Sequence, residues 1–170
     1  MAVLKVLEYP DRILLTKARP LARITEEDRR LFRDMIETMH AEQGVGLAAN
    51  QIGVLKQIFV ACSDQVKGNE IVLINPQIVK KRGSVKEFEG CLSVPDCYEP
   101  VRRFKKVTLR AKTADFKDIE VEAQGLLARV FQHETDHLNG ILFIERLGIL
   151  KSRLAKRKLN KQLKARARAR

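Results

Sequence analysis

Leu31, Phe32, Met35, Ile36 and Met39 recur at three- and four-residue steps, the period of one face of an α-helix. Thr25, followed three residues on by Asp28, marks its start as a capping box with Asp in place of the more usual Glu or Gln, and Gly44 lies near its end. Beyond Gly44 the period changes. Apolar and β-branched runs at 57–62, 71–74, 106–110 and 119–123 predict short strands, and Gly68-Asn69, Asn75-Pro76, Gly83 and Val94-Pro95-Asp96 read as the turns between them. A second helical pattern follows Gly125, with Leu126, Leu127, Val130, Phe131 and Leu138 on related faces, and stops at Asn139-Gly140. Strands gathered between helices, without βαβ alternation, predict an α+β fold: short antiparallel strands packed around a central helix, with a further helix at the C-terminus.

That last helix is drawn by Leu147, Leu150 and Leu154 and by the pair Leu159 and Leu163, which predict one apolar stripe, with the final residues 165–170 fraying. Charge sets this segment apart. Residues 146–170 carry 11 basic residues and no acidic one, whereas residues 1–145 hold 22 basic against 21 acidic, so nearly all of the net charge of +12 sits in the tail. The tail reads either as a solvated helix that packs one face on the body or as an electrostatic contact with nucleic acid or another acidic surface. It has no aromatic side chain to stack on bases, so contact with nucleic acid would be to phosphate, indifferent to base sequence and strongly salt-dependent. The chain divides accordingly into a body, 1–147, and a basic helical extension, 148–170.

The length of 170 residues fits one core, and 45% apolar with 32% charged residues excludes wholesale disorder. No stretch approaches the ~20 apolar residues of a membrane span. Glu8 comes too early, after too short an apolar run, for a secretory signal. Three cysteines, Cys62, Cys91 and Cys97, are too few and odd in number for a disulfide scaffold, and a soluble protein of a reducing compartment is expected.

The second helix contains His133-Glu134-Thr135-Asp136-His137. Residues four apart on a helix share a face, so two imidazoles can grip one divalent ion, while Glu134 can reach a water that the ion acidifies. That pairing implies hydrolysis of an amide or ester. A metzincin-type third histidine would fall at Phe143, and a thermolysin-type downstream Glu is missing, since Glu145 lies only eight residues past His137. A cysteine remains as third ligand. Cys91, in Glu89-Gly90-Cys91-Leu92-Ser93, has the best context, a turn-prone stretch between strands; Cys62 reads as core and Cys97 as a bystander thiol in a polar loop. His40, at the polar end of the first helix, reads as a surface residue. A third segment, 44–53, combines small residues that let a ligand approach the backbone with Gln51, whose amide N–H can stabilise an oxyanion.

Gly44-Val45-Gly46-Leu47-Ala48-Ala49-Asn50-Gln51, Glu89-Gly90-Cys91-Leu92-Ser93 and Gln132-His133-Glu134-Thr135-Asp136-His137 together resemble, in order, the three signature motifs of the peptide deformylases, over about residues 4–147. The resemblance implies removal of the formyl group from N-formylmethionine at the start of nascent bacterial or organellar polypeptides, hence a cytoplasmic or organellar-matrix location. It implies a metal ion, usually Fe2+, with Zn2+, Ni2+ or Co2+ as alternatives, held by Cys91, His133 and His137. It makes Glu134 the general base and then acid, and the Gln51 side chain and Leu92 N–H the donors to the tetrahedral intermediate. Gly46 would bind the peptide in extended form, and Val45, Leu126 and Val130 would form the methionine pocket. Asp136 and Glu89 read either as carboxylates that orient ligands, with Arg103 paired to Glu89, or as members of ordinary surface salt bridges. Two positions depart from the pattern: Tyr98 stands where many bacterial relatives carry an arginine, and Arg129 where an apolar residue is expected. In bacterial relatives with such an extension, the basic helix docks on the ribosome, which implies the same partner for 148–170.

Overall fold

The computed structural model describes residues 2–168. Helix α1 (Glu26–Ala41) opens on the expected capping box: Thr25 Oγ1 accepts from the Asp28 N–H at 3.2 Å, and the Asp28 carboxylate accepts from the Thr25 N–H at 2.9 Å. Seven strands follow: β1 (Gly46–Ala48), β2 (Ile58–Ala61), β3 (Ile71–Arg82), β4 (Val85–Cys91), β5 (Val94–Arg103), β6 (Lys106–Lys112) and β7 (Asp118–Gln124). Helices α2 (Gly125–Leu138) and α3 (Ile149–Arg168) complete the α+β arrangement. Five strands form one antiparallel sheet in the order β1-β2-β3-β6-β7, and β4 pairs only with β5.

Strand β2 explains how the layers stack. All four of its residues are buried, yet they alternate: Phe59 and Ala61 join Val130, Phe131 and Leu138 of α2, while Ile58 and Val60 join Phe32, Met35 and Met39 of α1. A strand covered on both faces reads as an unbroken apolar run. Helix α2 is thereby fixed in the middle of the molecule, its motif-bearing face turned toward the β4–β5 hairpin.

Two expected turns lie inside strands instead. Asn75-Pro76 sits within β3 at a bulge, where the register skips between Ile74 and Gln77. Asn75 takes a left-handed φ of 53°, and its side chain exchanges hydrogen bonds with the backbone of Leu21 at 2.7 and 2.8 Å; Pro76, which lacks an N–H, fits where the ladder is interrupted. Val94-Pro95-Asp96 belongs to β5, where between the pairs Glu89↔Glu99 and Cys91↔Val94 one residue of β4, Gly90, faces four of β5. Strands β4 and β5 themselves carry so many charged residues that no apolar alternation announced them. Cys91 therefore closes a strand rather than sitting in a free turn.

The stripe expected on α3 is met in part. Leu147 and Leu159 are buried and, with Ala155, share a cluster with Leu14, Val94, Val101 and Phe143, whereas Leu150 and Leu154, like the neighbouring Ile149, are exposed. Ion pairs fix the rotation of the helix: Lys151 to Glu99 at 3.3 Å, Lys156 to Glu145 at 3.0 Å and Arg166 to Asp96 at 3.0 Å. The helix runs on to Arg168 past the point where fraying was expected; residues 169 and 170 of that expectation lie outside the described part. No helix among the described residues is long and apolar enough to cross a membrane.

Candidate metal centre and active-site cleft

The helical period of α2 brings His133 and His137 onto one face, and the β4–β5 hairpin lays Cys91 across them. His137 Nε2 is 3.2 Å from His133 Nε2 and 3.2 Å from Cys91 Sγ. A tetrahedral ion with ligand bonds of about 2.0–2.3 Å separates its donor atoms by about 3.3–3.6 Å, so these three fit around one ion with little adjustment. A thiolate with two imidazoles is a donor set for zinc, ferrous iron or related transition metals rather than for magnesium or calcium.

Glu134 stands beside the triad and is buried, with Oε2 lacking any hydrogen-bond partner among the described residues. Burial, reinforced by the charge of Glu89, pushes its carboxyl up to about 7. Gly46 is what lets it sit there: a Cβ on that residue would come 2.5 Å from Glu134 Oε1 and 2.8 Å from Val130. Gln51 is held at both ends, its Oε1 accepting from the Ala48 N–H at 2.9 Å and its Nε2 donating to Ser93 Oγ at 3.1 Å, 3.7 Å from Cys91 Sγ. Asn50 donates from Nδ2 to the His137 carbonyl and so ties this turn to the end of α2.

Behind the triad is a buried charge network. Glu89 accepts from Arg103 Nε at 2.8 Å and Nη2 at 2.9 Å, and from Arg129 Nη1 at 2.6 Å, and its Oε2 lies 3.1 Å from His133 Nδ1. Burial pushes the Glu89 carboxyl up, but the hydrogen bonds from His133 and Arg103 outweigh it and hold the group well below the usual carboxylate range. Asp136 takes Arg103 from one side and Arg146 Nε, at 2.9 Å, from the other. The Glu89–Arg103 pair expected from sequence is thus fully enclosed. Arg129, apparently out of place in the sequence, is a buried partner of Glu89 rather than a residue of an apolar wall.

Of the residues expected to catalyse, hold metal or bind substrate, all except His137 line or border one cleft of about 520 Å³: Val45, Gly46, Gln51, Cys91, Leu92, Leu126, Val130, His133 and Glu134; Arg103 and Asp136 do not line it. Leu126 is half exposed at its rim. Tyr98 is 70% exposed and stacks on Phe88 with ring centroids 6.2 Å apart, and Gly90 leaves the room for its ring. Three partners went unread in the sequence: Asn50, Ser93 and Arg146. The first two lie inside quoted motifs, where polarity amid small residues was the available signal; nothing local distinguishes Arg146 from the other cations of the tail. Two expectations are corrected. His40 is half-buried against Glu70 rather than a surface residue, and Cys97 lies in β5, half-buried, rather than in a polar loop.

The family model of the polypeptide deformylases matches residues 3–153. The chain belongs to that family. Peptide deformylase 1 of Pseudomonas syringae pv. tomato is 45% identical over 98% of this chain and all of its own, and the Acidobacterium capsulatum peptide deformylase is 43% identical over 97% and 98%. Among solved structures, the Legionella pneumophila peptide deformylase superposes with a TM-score of 0.91 at 43% identity, covering 98% of this chain and 99% of that one. The Ehrlichia chaffeensis enzyme in complex with actinonin gives 0.88 at 37% identity, covering 95% and 98%. Polypeptide deformylases are metal-dependent hydrolases that remove the N-formyl group from nascent polypeptides, and this chain is such an enzyme.

Proposed function

We infer that the chain releases formate from N-formylmethionine at the start of nascent polypeptides, with Cys91, His133 and His137 as metal ligands and Glu134 as proton carrier. The observation that carries this is the convergence of Sγ and two Nε2 atoms beside a buried carboxylate oxygen that has no other partner. The ion, Fe2+ in the family's usual form, with Zn2+, Ni2+ or Co2+ as substitutes, supplies Lewis acidity that acidifies water and polarises the formyl carbonyl. Glu134 takes the proton of the attacking water at Oε2 and returns it to the amine nitrogen as the C–N bond breaks. The Gln51 side-chain amide and the Leu92 N–H donate to the carbonyl oxygen as negative charge builds there. The backbone at Gly46 pairs with the extended peptide, and Val45, Leu126 and Val130 receive the methionine side chain. Residues 1–147 form the catalytic unit.

The tail, 148–170, serves as the contact with the ribosome. Its support is the all-basic composition, together with the exposure of Arg153, Arg157, Lys161 and Lys164 on the face turned away from the body. The working compartment is the bacterial cytoplasm or an organellar matrix.

The deciding measurement is formate release from a short formyl-methionyl peptide by wild type and Glu134→Ala, both loaded anaerobically with iron. Release by wild type alone is expected. Equal release by both would remove Glu134 from the reaction. Loss of activity of the iron form during aerobic exposure, with the zinc form unaffected, is the expected sign of a thiolate-bound ferrous site.

A further inference from the structure

A second cluster of metal-type donors lies outside the cleft. His40 is at the last turn of α1, Cys62 directly follows β2, and Glu70 directly precedes β3, so three separate elements deliver their side chains to one point. The donor atoms of these three residues all lie within 4.8 Å of one another. Cys62 is 2% exposed, and the side chains of His40 and Glu70 are 16% and 12% exposed. Asp64 stands at the mouth, its Oδ1 3.3 Å from Cys62 Sγ.

Glu70 is oriented as a ligand is. Glu70 Oε2 accepts from the Gly68 N–H at 2.9 Å, which leaves Oε1 facing His40 Nε2 at 2.5 Å. Asp64 Oδ2 accepts from Asn69 Nδ2 at 2.7 Å, and its Oδ1, steadied by the Val66 N–H at 3.1 Å, faces the thiol. One oxygen of Glu70 is thus anchored and the other turned inward, the outer hydrogen bonding that fixes ligands around metals, while both oxygens of Asp64 are held by its own loop. Thiol, imidazole and carboxylate make three donors of the kind zinc takes in tetrahedral sites, and the thiol and imidazole disfavour magnesium or calcium.

We propose that His40, Cys62 and Glu70 form a second zinc site, separate from the catalytic ion. The cation displaces the proton of the Cys62 thiol and enters between His40 and Glu70, which now share a hydrogen bond. The site adjoins the cleft wall: the Cys62 N–H donates to the Val45 carbonyl at 2.9 Å, and Gln65 Nε2 donates to the Gln43 carbonyl at 3.2 Å. Zinc there ties the end of α1 and the 62–70 loop to the strand that carries Gly46. The competing description is a buried thiol beside an ordinary His–Glu ion pair.

The full chain is incubated with excess zinc, desalted and assayed for metal, with folding checked by circular dichroism. Two zinc ions per chain are expected for wild type, and one for each of Cys91→Ser, His40→Gln and Cys62→Ser. His40→Gln keeps the size of a half-buried side chain, so it carries the test even where Cys62→Ser fails to fold. Cobalt gives an independent readout: in Cys91→Ser, a thiolate-to-cobalt absorption band persists, and adding His40→Gln abolishes it. One ion in wild type, or two in a folded His40→Gln, overturns the second site. Two ions in Cys91→Ser would instead count against the catalytic ligand set.

Discussion

Glu89 Oε2 lies 3.1 Å from Nδ1 of His133, the ring nitrogen opposite the one that faces His137. The carboxylate thereby fixes both the tautomer and the plane of the imidazole, with Nδ1 as donor and the Nε2 lone pair directed at the proposed metal position. Because Arg103 and Arg129 anchor the same carboxylate, His133 is oriented by a framework that reaches from β5 to α2.

Replacing Glu89 with Gln keeps the shape and removes the charge. Metal affinity is expected to fall about 10–100-fold, as for other outer partners of a ligating histidine. Competition against a chromophoric chelator measures it, and unchanged affinity would mean that Glu89 serves the fold alone.

Arg103 neutralises Glu89 and Asp136 together inside the protein. Arg103→Met leaves these carboxylates short of a partner and should cost about 3–5 kcal/mol, the range for breaking a buried ion pair by removing one side. Urea unfolding at neutral pH reads this directly, and a loss below about 1 kcal/mol, the scale of surface pairs, would contradict the enclosure of this network.

At Gly46 the added methyl of an alanine meets Glu134 Oε1 and Val130 Cγ1 at less than contact distance. Either the Glu134 side chain or strand β1 must shift, and displacements near 1 Å at a reacting centre cost about 100-fold in rate. Gly46→Ala is therefore expected to lower kcat/KM on that scale while metal content stays at the wild-type level. Loss of metal along with activity would point to collapse of the site instead.

Asp28 sets a pH dependence of stability. Burial pushes its carboxyl up, but Lys56 Nζ at 2.6 Å and the hydrogen bonds from Thr25 outweigh it and hold it below its ordinary 3.8. A carboxyl whose value is lower folded than unfolded contributes stability in full above the unfolded value, and that contribution is lost as pH falls through the folded one. Asp28→Asn should be less stable than wild type at pH 6, with the difference shrinking below about pH 4. A difference that grows on acidification would reverse the sign.

The docking of α3 changes how the proposed ribosome contact is best tested. Truncation would strip Ala155 and Leu159 from a buried cluster, whereas Arg153, Arg157, Lys161 and Lys164 are exposed. Replacing these four with Gln should weaken ribosome co-sedimentation and flatten its salt dependence, by roughly one unit of log–log slope for each phosphate no longer neutralised. An unaltered salt slope would place the ribosome-binding surface elsewhere.

Much of this enzyme is legible along the chain, because its information is local. The period of α2 places His133 and His137 on one face, the Thr25–Asp28 box marks the start of α1, and the three motifs carry the chemistry in residue types whose spacing is their meaning. Other features exist only after folding. A charged hairpin with a bulge conceals β4 and β5 from any reading of apolar alternation, and only their pairing brings Cys91 to within 3.2 Å of a histidine 46 residues away. Arg129 looks misplaced until Glu89 is found beside it, and Leu150 and Leu154 of α3 mark an exposed face because the helix docks through Leu159 and a small alanine. Periodicity is a property of neighbours in sequence, whereas the partner of a buried charge or the side on which a helix docks depends on which distant surfaces meet, and tertiary packing alone decides that.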